Sequence, residues 1–310
     1  MLLPSHRHTK ADLELWAELE QADLLHFEQL QSKNIKSPMT KIEKSREVIR
    51  KFASEGECYA SVSWGKDSTI IAHLIAMCRL EIPLGNVAQD GTGTDPHIAD
   101  VRDVFLSQFP IEYYEECVPL KFIPDDGSHS PSLDIGISHL IKHFGTERYI
   151  GGVRASESGV RKLGMRTRGL VTANTCQPLG WWTTADVFAY LAGHNLPVHP
   201  NYAMLGGGRW SREHIRVSTI GGPKGNQFGR TEWEKEYYGD VLRRSPLPVR
   251  IDIPEFLAAI ADDRRQLQAD HGEQFVGYVG NSPPVCSAAR RPLTMLSSVA
   301  PPAHTLSSGR

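Results

Sequence analysis

Along the middle of the chain, hydrophobic and polar positions switch between two periods. Short runs of small, β-branched and aromatic residues, CYASVS from Cys58, PLGNVAQ from Pro83, IEYYEEC from Ile111 and ERYIGGV from Glu147, read as strands. Between them TIIAHLIAMCRL, PHIADVRDVFLSQF and SLDIGISHLIKHFG carry apolar residues at helical spacing. Strands alternating with crossover helices predict a parallel sheet covered on both faces, a doubly wound α/β domain.

Upstream, ADLELWAELEQADLLHFEQLQ sets Leu13, Trp16, Leu19, Leu24 and Phe27 near helical spacing among many charges. A turn at Ser37-Pro38 separates it from a second amphipathic piece, MTKIEKSREVIRKFASEGE. Residues 1–55 are therefore expected to be a peripheral helical extension packed on the main domain. Downstream, ASESGVRKLGMRTRG is a polar, glycine-containing stretch and LVTANTCQP a further strand. WTTADVFAYLAGHN is a helix, with Thr183 or Thr184 as its cap and Asp186 in the first turn, where a carboxylate suits the helix dipole. Beyond Leu196 the pattern becomes irregular, with loops and short helices expected, and 254–271 reads as one more amphipathic helix. The organisation expected is an extension over 1–55, a nucleotide-binding domain over 56–205, an elaboration over 206–280 and, from its Pro, Ser and Ala content, an unstructured tail over 281–310.

Composition narrows the classes. A length of 310 residues with 40% hydrophobic content supports a real core, and a net charge of −2 confines any attraction to nucleic acid to a local patch. The one marked basic cluster is Arg154, Arg161, Lys162, Arg166 and Arg168, able to neutralise nucleotide phosphates or to reach a nucleic acid backbone, without the aromatic interleaving of single-strand readers. No apolar run approaches the roughly 18 residues of a membrane span, and the first residues lack a signal-peptide pattern, so a cytoplasmic protein without membrane partners is expected. The five cysteines, Cys58, Cys78, Cys117, Cys176 and Cys286, have no C-x-x-C spacing, which argues against a disulfide framework and a tetrahedral zinc site.

The chemistry concentrates at SWGKDS, where the first strand meets its helix. In an open parallel sheet, ligands bind beyond the carboxyl ends of the strands. Backbone N–H groups at such a turn cradle phosphate oxygens, and Gly65 admits them without a Cβ in the way. Ser63 and Ser68 add hydroxyls and Lys66 a positive charge; Asp67 is either a helix cap or a carboxylate for Mg²⁺. A Walker A loop is excluded, because Asp67 follows Lys66 and no glycine stands at the required earlier position.

The segment resembles the S-x-G-x-D-S loop of the PP-loop ATP pyrophosphatase superfamily, in the branch that contains phosphoadenosine-phosphosulfate (PAPS) reductases. Ser63, Gly65, Asp67 and Ser68 occupy its positions. NVAQDGTGTDPH looks like the family's second-strand end, with Asp90 and Gly91-Thr92-Gly93 matching loosely and Pro96 opening a helix; in the family this turn lies by the adenosine. GGVRASESGVRK is similar to G-x-R-x-x-E-S-x-x-R through Gly152, Arg154, Glu157, Ser158 and Arg161, where two arginines could hold phosphate or sulfate oxygens bidentately and Glu157 orient one of them. Pro178, Trp182, Asp186, Val187, Asn195, Pro197, Pro200 and Tyr202 match a fourth, mostly structural series.

The resemblance implies a Rossmann-like fold of the adenine-nucleotide α-hydrolase type. It also implies ATP with its outer phosphates in the 63–68 turn, Mg²⁺ assisted by Asp67, and attack on the α-phosphorus with release of pyrophosphate, adenylating a nucleic-acid or small-molecule acceptor. On this reading Lys66, Asp67, Arg154 and Arg161 carry catalysis, while Ser63, Gly65, Ser68, Asp90, Gly91, Glu157 and Ser158 bind the nucleotide. The chain departs from the reductases in lacking a C-terminal Glu-Cys-Gly-x-His type tail and paired cysteines, so no iron–sulfur cluster is expected and sulfonucleotide reduction, through Cys176 or Cys286, is the alternative. A non-catalytic nucleotide-binding module acting with a partner protein is the other.

Overall fold

The small and β-branched runs form five parallel strands in one sheet: β1 (Tyr59–Ser61), β2 (Leu84–Asp90), β3 (Tyr113–Pro119), β4 (Tyr149–Ile150) and β5 (Thr175–Cys176). The computed structural model describes residues 1–32, 39–90, 95, 97–119, 131–217, 220 and 227–244. Strand order is β3-β2-β1-β4-β5, with Ala60 opposite Leu84, Tyr59 opposite Tyr149 and Ile150 opposite Cys176. The chain therefore steps outward from β1 through β2 and β3, then returns to lay β4 and β5 on the other side of β1. That reversal makes a doubly wound sheet, with its switch point between β1 and β4.

Helices cover both faces. The helices α3 (Lys66–Cys78), α4 (His97–Gln108) and α5 (Pro131–Phe144) follow β1, β2 and β3. On one face Tyr59 stacks on Phe144 of α5 with ring centroids 4.9 Å apart, and Gly136 of α5 comes so close to Val87 that a Cβ there would lie 2.2 Å from it. On the other, Arg102 of α4 binds Glu115 of β3 at 2.9 Å. Helix α2 (Lys41–Ser54) lies over Cys176 there, Sγ being 4.0 Å from the Val48 carbonyl. α3 contributes Ile70, Ile71, Leu74 and Ile75, all fully buried, to the core between this face and α7 (Thr184–Gly193).

The N-terminal helix α1 (Lys10–Gln31) packs along α7, with Trp16 edge-on to Phe188 and Phe27 edge-on to Tyr190. Its apolar spacing was only half informative. Leu13 and Leu24 are exposed, whereas Asp12 and Asp23 are buried. Both carboxylates are satisfied, Asp12 by the Leu205 N–H and the Tyr237 hydroxyl, Asp23 by a two-pronged contact from Arg212 at 2.6 Å. Thr183 is the cap of α7, and Asp186 both closes that capping box and receives Lys41 at 2.6 Å and His26 at 3.0 Å, tying α1, α2 and α7 together.

Two helices differ from expectation. The polar stretch after β4 forms a single short turn at Ala155–Glu157 and then α6 (Gly159–Arg168), capped by Ser158 but burying only Met165, so it carries no apolar stripe to read. Beyond the short turns at Pro200–Ala203 and Gly206–Gly208, α8 (Arg230–Arg244) runs through Trp233, Tyr237 and Tyr238, with a kink at Tyr238. The Ser37-Pro38 turn, Gly91-Thr92-Gly93, Pro96, the helix expected over 254–271, Cys286 and the tail over 281–310 lie outside the described residues.

Candidate functional site

The turn after β1 sits at the switch point, and its residues explain its shape. Trp64 takes a left-handed conformation, φ 56°, costly for a bulky residue. It is held there by complete burial against Phe105 and Tyr113, and its indole N–H donates to the Tyr113 hydroxyl at 3.2 Å. That hydroxyl donates in turn to Glu115. Gly65 is the N-cap of α3 and supplies no side-chain cap. The first-turn N–H groups of Asp67 and Ser68 are thus those a phosphate oxygen would meet. The Ser68 hydroxyl folds back onto the Gly65 carbonyl at 3.1 Å and accepts the Ser63 N–H at 3.1 Å, closing the turn.

Behind the turn, Tyr202 is buried and its hydroxyl accepts the Lys66 N–H at 3.2 Å, while the Lys66 ammonium stands 5.2 Å from its ring centre. Burial opposes the ammonium, yet Tyr202 and Asp67 outweigh it and hold Lys66 above the ordinary lysine value. Burial likewise pushes the Tyr202 phenol up.

From β4 comes the other half. Gly152 abuts the start of α3: a Cβ on it would lie 3.1 Å from the Asp67 Cβ and 3.3 Å from the Ser68 nitrogen. This contact brings Arg154, whose side chain is 3% exposed, to Asp67, with Nε 2.7 Å from Oδ1. Neither Nε nor Oδ1 makes an aligned hydrogen bond, so the pair is an ion pair by proximity, incompletely satisfied. Its Nη1 is fixed by Ser156 at 2.9 Å and by Thr184 of α7 at 3.2 Å. Asp67 Oδ2 lies 3.3 Å from Lys66 Nζ.

Lys66, Asp67, Ser68 and Arg154 are thus brought together, with Ser63 and Gly65 on the rim. Glu157 accepts the Arg154 N–H at 3.2 Å and pairs with Arg161, and Ser158 caps α6 through the Arg161 N–H at 3.2 Å. Among the described residues Arg161 has no hydrogen bond or ion pair to the 63–68 turn. Asp90 ends β2 with its side chain outside the description, as is all of Gly91.

Residues that no motif announced also build the site. Gln177 accepts the Val153 N–H at 3.0 Å and fixes the end of β4. Asp95 accepts from Asn201 at 2.6 Å, with His199 Nε2 3.2 Å away, and so anchors the segment before α4 to that after α7. Such partners are distant in sequence and leave no local pattern.

Cys176 is fully buried and its thiol is pushed up to about 12 by burial, so it is not a thiolate at neutral pH. Both oxygens of Asp67 face cations, so the carboxylate serves as counter-ion to Lys66 and Arg154. Among the described residues no group of three or more His, Cys, Asp or Glu side chains could hold a metal ion, and no helix is long and apolar enough to cross a membrane.

Comparison with known proteins gave likeness in fold. No family model and no curated protein matches the chain. A PAPS reductase from Candida auris, solved as a phosphate complex, is similar at 16% identity and TM-score 0.39, over 61% of this chain and 98% of that one. A U34-tRNA thiolase, NcsA, from Methanococcus maripaludis, solved with its [4Fe-4S] cluster, is similar at 14% identity and TM-score 0.37, over 68% and 83% of the two chains. An NH3-dependent NAD synthetase from Campylobacter jejuni is similar at 13% identity and TM-score 0.36, over 74% and 86%. The likeness is partial at these scores, and the doubly wound fold is established by the chain's own strand order.

Proposed function

We propose that this chain is a PP-loop enzyme that binds ATP at the switch point and acts at its α-phosphate, with residues 56–205 as the nucleotide-binding unit. The outer phosphates sit at the start of α3, on the Asp67 and Ser68 N–H groups and the Ser63 and Ser68 hydroxyls, with Gly65 giving close approach. Lys66 and Arg154 supply positive charge behind them, and Asp67 holds those two cations in place between turnovers. Asp90 and Gly91 stand at the adenosine side, and Glu157 and Ser158 fix Arg161 at the α6 side. An acceptor oxygen attacks the α-phosphorus, the bond from that phosphorus to the bridging oxygen breaks, and pyrophosphate leaves with the bonding electrons. The chain's contribution is positioning and electrostatic stabilisation.

The observation that carries this reading is the uncapped N-terminus of α3 at the β1/β4 switch point, with Lys66 and Arg154 converging behind it. Calorimetric titration with Mg-ATP and, separately, with PAPS tests it, alongside Lys66→Met and Ser68→Ala. Saturable ATP binding weakened by both substitutions is expected, with AMP transfer and pyrophosphate formation once an acceptor is supplied. ATP affinity indifferent to both, or preference for PAPS, would overturn it.

A further inference from the structure

The reaction proposed above needs a second substrate, and the structure holds a place for one. Between α6 and the exposed face of β4 and β5 runs a groove of about 310 Å³, at the small end of the ~300–1,000 Å³ usual for small-molecule sites. Its floor is Tyr149 and Thr175, its apolar wall Met165 and Leu170, and its charged wall Arg161 and Arg168. Gly164 faces it from α6, where a Cβ would meet only the Arg168 guanidinium within 4 Å.

We propose that this groove binds a small organic anion, with its carboxylate or phosphate between Arg161 and Arg168 and its apolar body against Met165 and Leu170, as the acceptor for the nucleotide chemistry. The role as acceptor rests on the proposed function; the existence of the site does not. Three observations support it. First, α6 carries Arg161, Lys162, Arg166 and Arg168 and no acidic residue; Glu157 before the helix pairs with Arg161, whereas among the described residues Arg168 has no ion-pair partner. A planar guanidinium left so, beside an apolar wall, suits an anion with a hydrophobic body. Second, α6 buries Met165 alone and leaves Val160 and Leu163 exposed, so the helix is held over the sheet without filling the space beneath it. Third, the groove adjoins the strand end that touches the start of α3. Val153 and Gln177 line it, and the residue before Val153 is Gly152, in contact with Asp67 and Ser68 at the start of α3. Gly152 meets that turn from the face opposite Val153, so the groove and the turn are neighbours across the end of β4.

The test uses the full chain with benzoate and phenyl phosphate as carboxylate and phosphate probes and benzyl alcohol as the neutral control, by ligand-observed NMR titration. Both anions, or one of them, should bind at least about tenfold more tightly than the alcohol, and Arg168→Gln should weaken them by a similar factor. Gly164→Leu, whose side chain occupies the groove and displaces only the flexible end of Arg168, should abolish binding. Equal affinity for the alcohol, or anion binding indifferent to both substitutions, would overturn the site. So would tight binding of a single-stranded oligonucleotide that Arg166→Gln weakens and Arg168→Gln does not, since the outer face of α6 would then be the docking surface. Separate titration with Mg-ATP reads the nucleotide site: anions bound without ATP binding would overturn the acceptor role alone, and ATP bound without anions would overturn the groove alone.

Discussion

Removing the negative charge of Asp67 should destabilise the chain more than removing the positive charge of its partner. Lys66 and Arg154 expose 6% and 3% of their side chains, and Asp67 lies between them at 3.3 and 2.7 Å. At an effective dielectric of about 20, the 2.7 Å contact is worth roughly 6 kcal/mol before desolvation is charged against it. Asp67→Asn leaves two buried like charges with no counter-ion, an expected loss of about 3–5 kcal/mol. Arg154→Met leaves Asp67 paired with Lys66, so the loss should stay near ~1–3 kcal/mol. The double variant should cost less than the sum by ~1 kcal/mol or more, because the three charges act as one unit. Urea unfolding followed by circular dichroism measures all three. The nucleotide reading adds a sharper expectation: pyrophosphate supplies the missing counter-charge, so at about 100 times its dissociation constant for Asp67→Asn it should stabilise that variant by about 2.7 kcal/mol, and wild type by less at the same concentration. Should Arg154→Met prove the more damaging, or pyrophosphate fail to favour Asp67→Asn over wild type, the charge assignment at the turn is wrong.

Three further outcomes are expected. His73 is buried, with His194 and Arg46 nearby, and its pKa is lowered to about 3, its ring bonded to the Tyr190 hydroxyl at 2.8 Å. Its neutral form is the stabilising one, so its contribution is complete above about pH 6.5 and falls by about 1.4 kcal/mol per unit as pH drops toward 3. Urea midpoints for His73→Leu should show a flatter decline over that window, and an unchanged slope would refute this. Alkylation of native protein with iodoacetamide, mapped by peptide mass, should leave Cys176 unmodified until denaturant is added; rapid native labelling would contradict its burial and raised pKa. Gly193→Ala should lower thermal stability by about 1–3 kcal/mol despite the better helix propensity of alanine, since its Cβ would lie 2.1 Å from Phe27; a neutral result would mean that α1 is loosely held on α7.

The features legible in the sequence were those with a local period or a local turn. The strands at Tyr59, Leu84, Tyr113 and Tyr149 and the helices between them fell where alternation placed them, because a buried parallel strand needs a short apolar run and its crossover helix an apolar stripe. Lys66, Asp67 and Ser68 were visible for the same reason, being adjacent. Arg154 was visible only through a motif, and its contact with Asp67 follows from β4 pairing with β1, a consequence of topology. α6 escaped because a helix burying one methionine has no apolar period. α1 misled in part because its inner face carries, beside Trp16 and Leu30, two carboxylates paired with Arg212 and Tyr237, which read as solvent-facing when partners are distant.

The placement of β4 beside β1 also bears on when the chain becomes competent. β1, α3 and β2 are neighbours in sequence and can form early, whereas the contact of Gly152 and Arg154 with the start of α3 closes a loop across β2, α4, β3 and α5. Loop-closure entropy makes such distant contacts slow to form. On the proposed function, the start of α3 precedes its second cation during folding, and a pulse of labelled pyrophosphate captured along a refolding time course would register the docking of β4 rather than the collapse of the first βαβ unit. Gain of anion affinity would then be a clock for the pairing of β4 with β1.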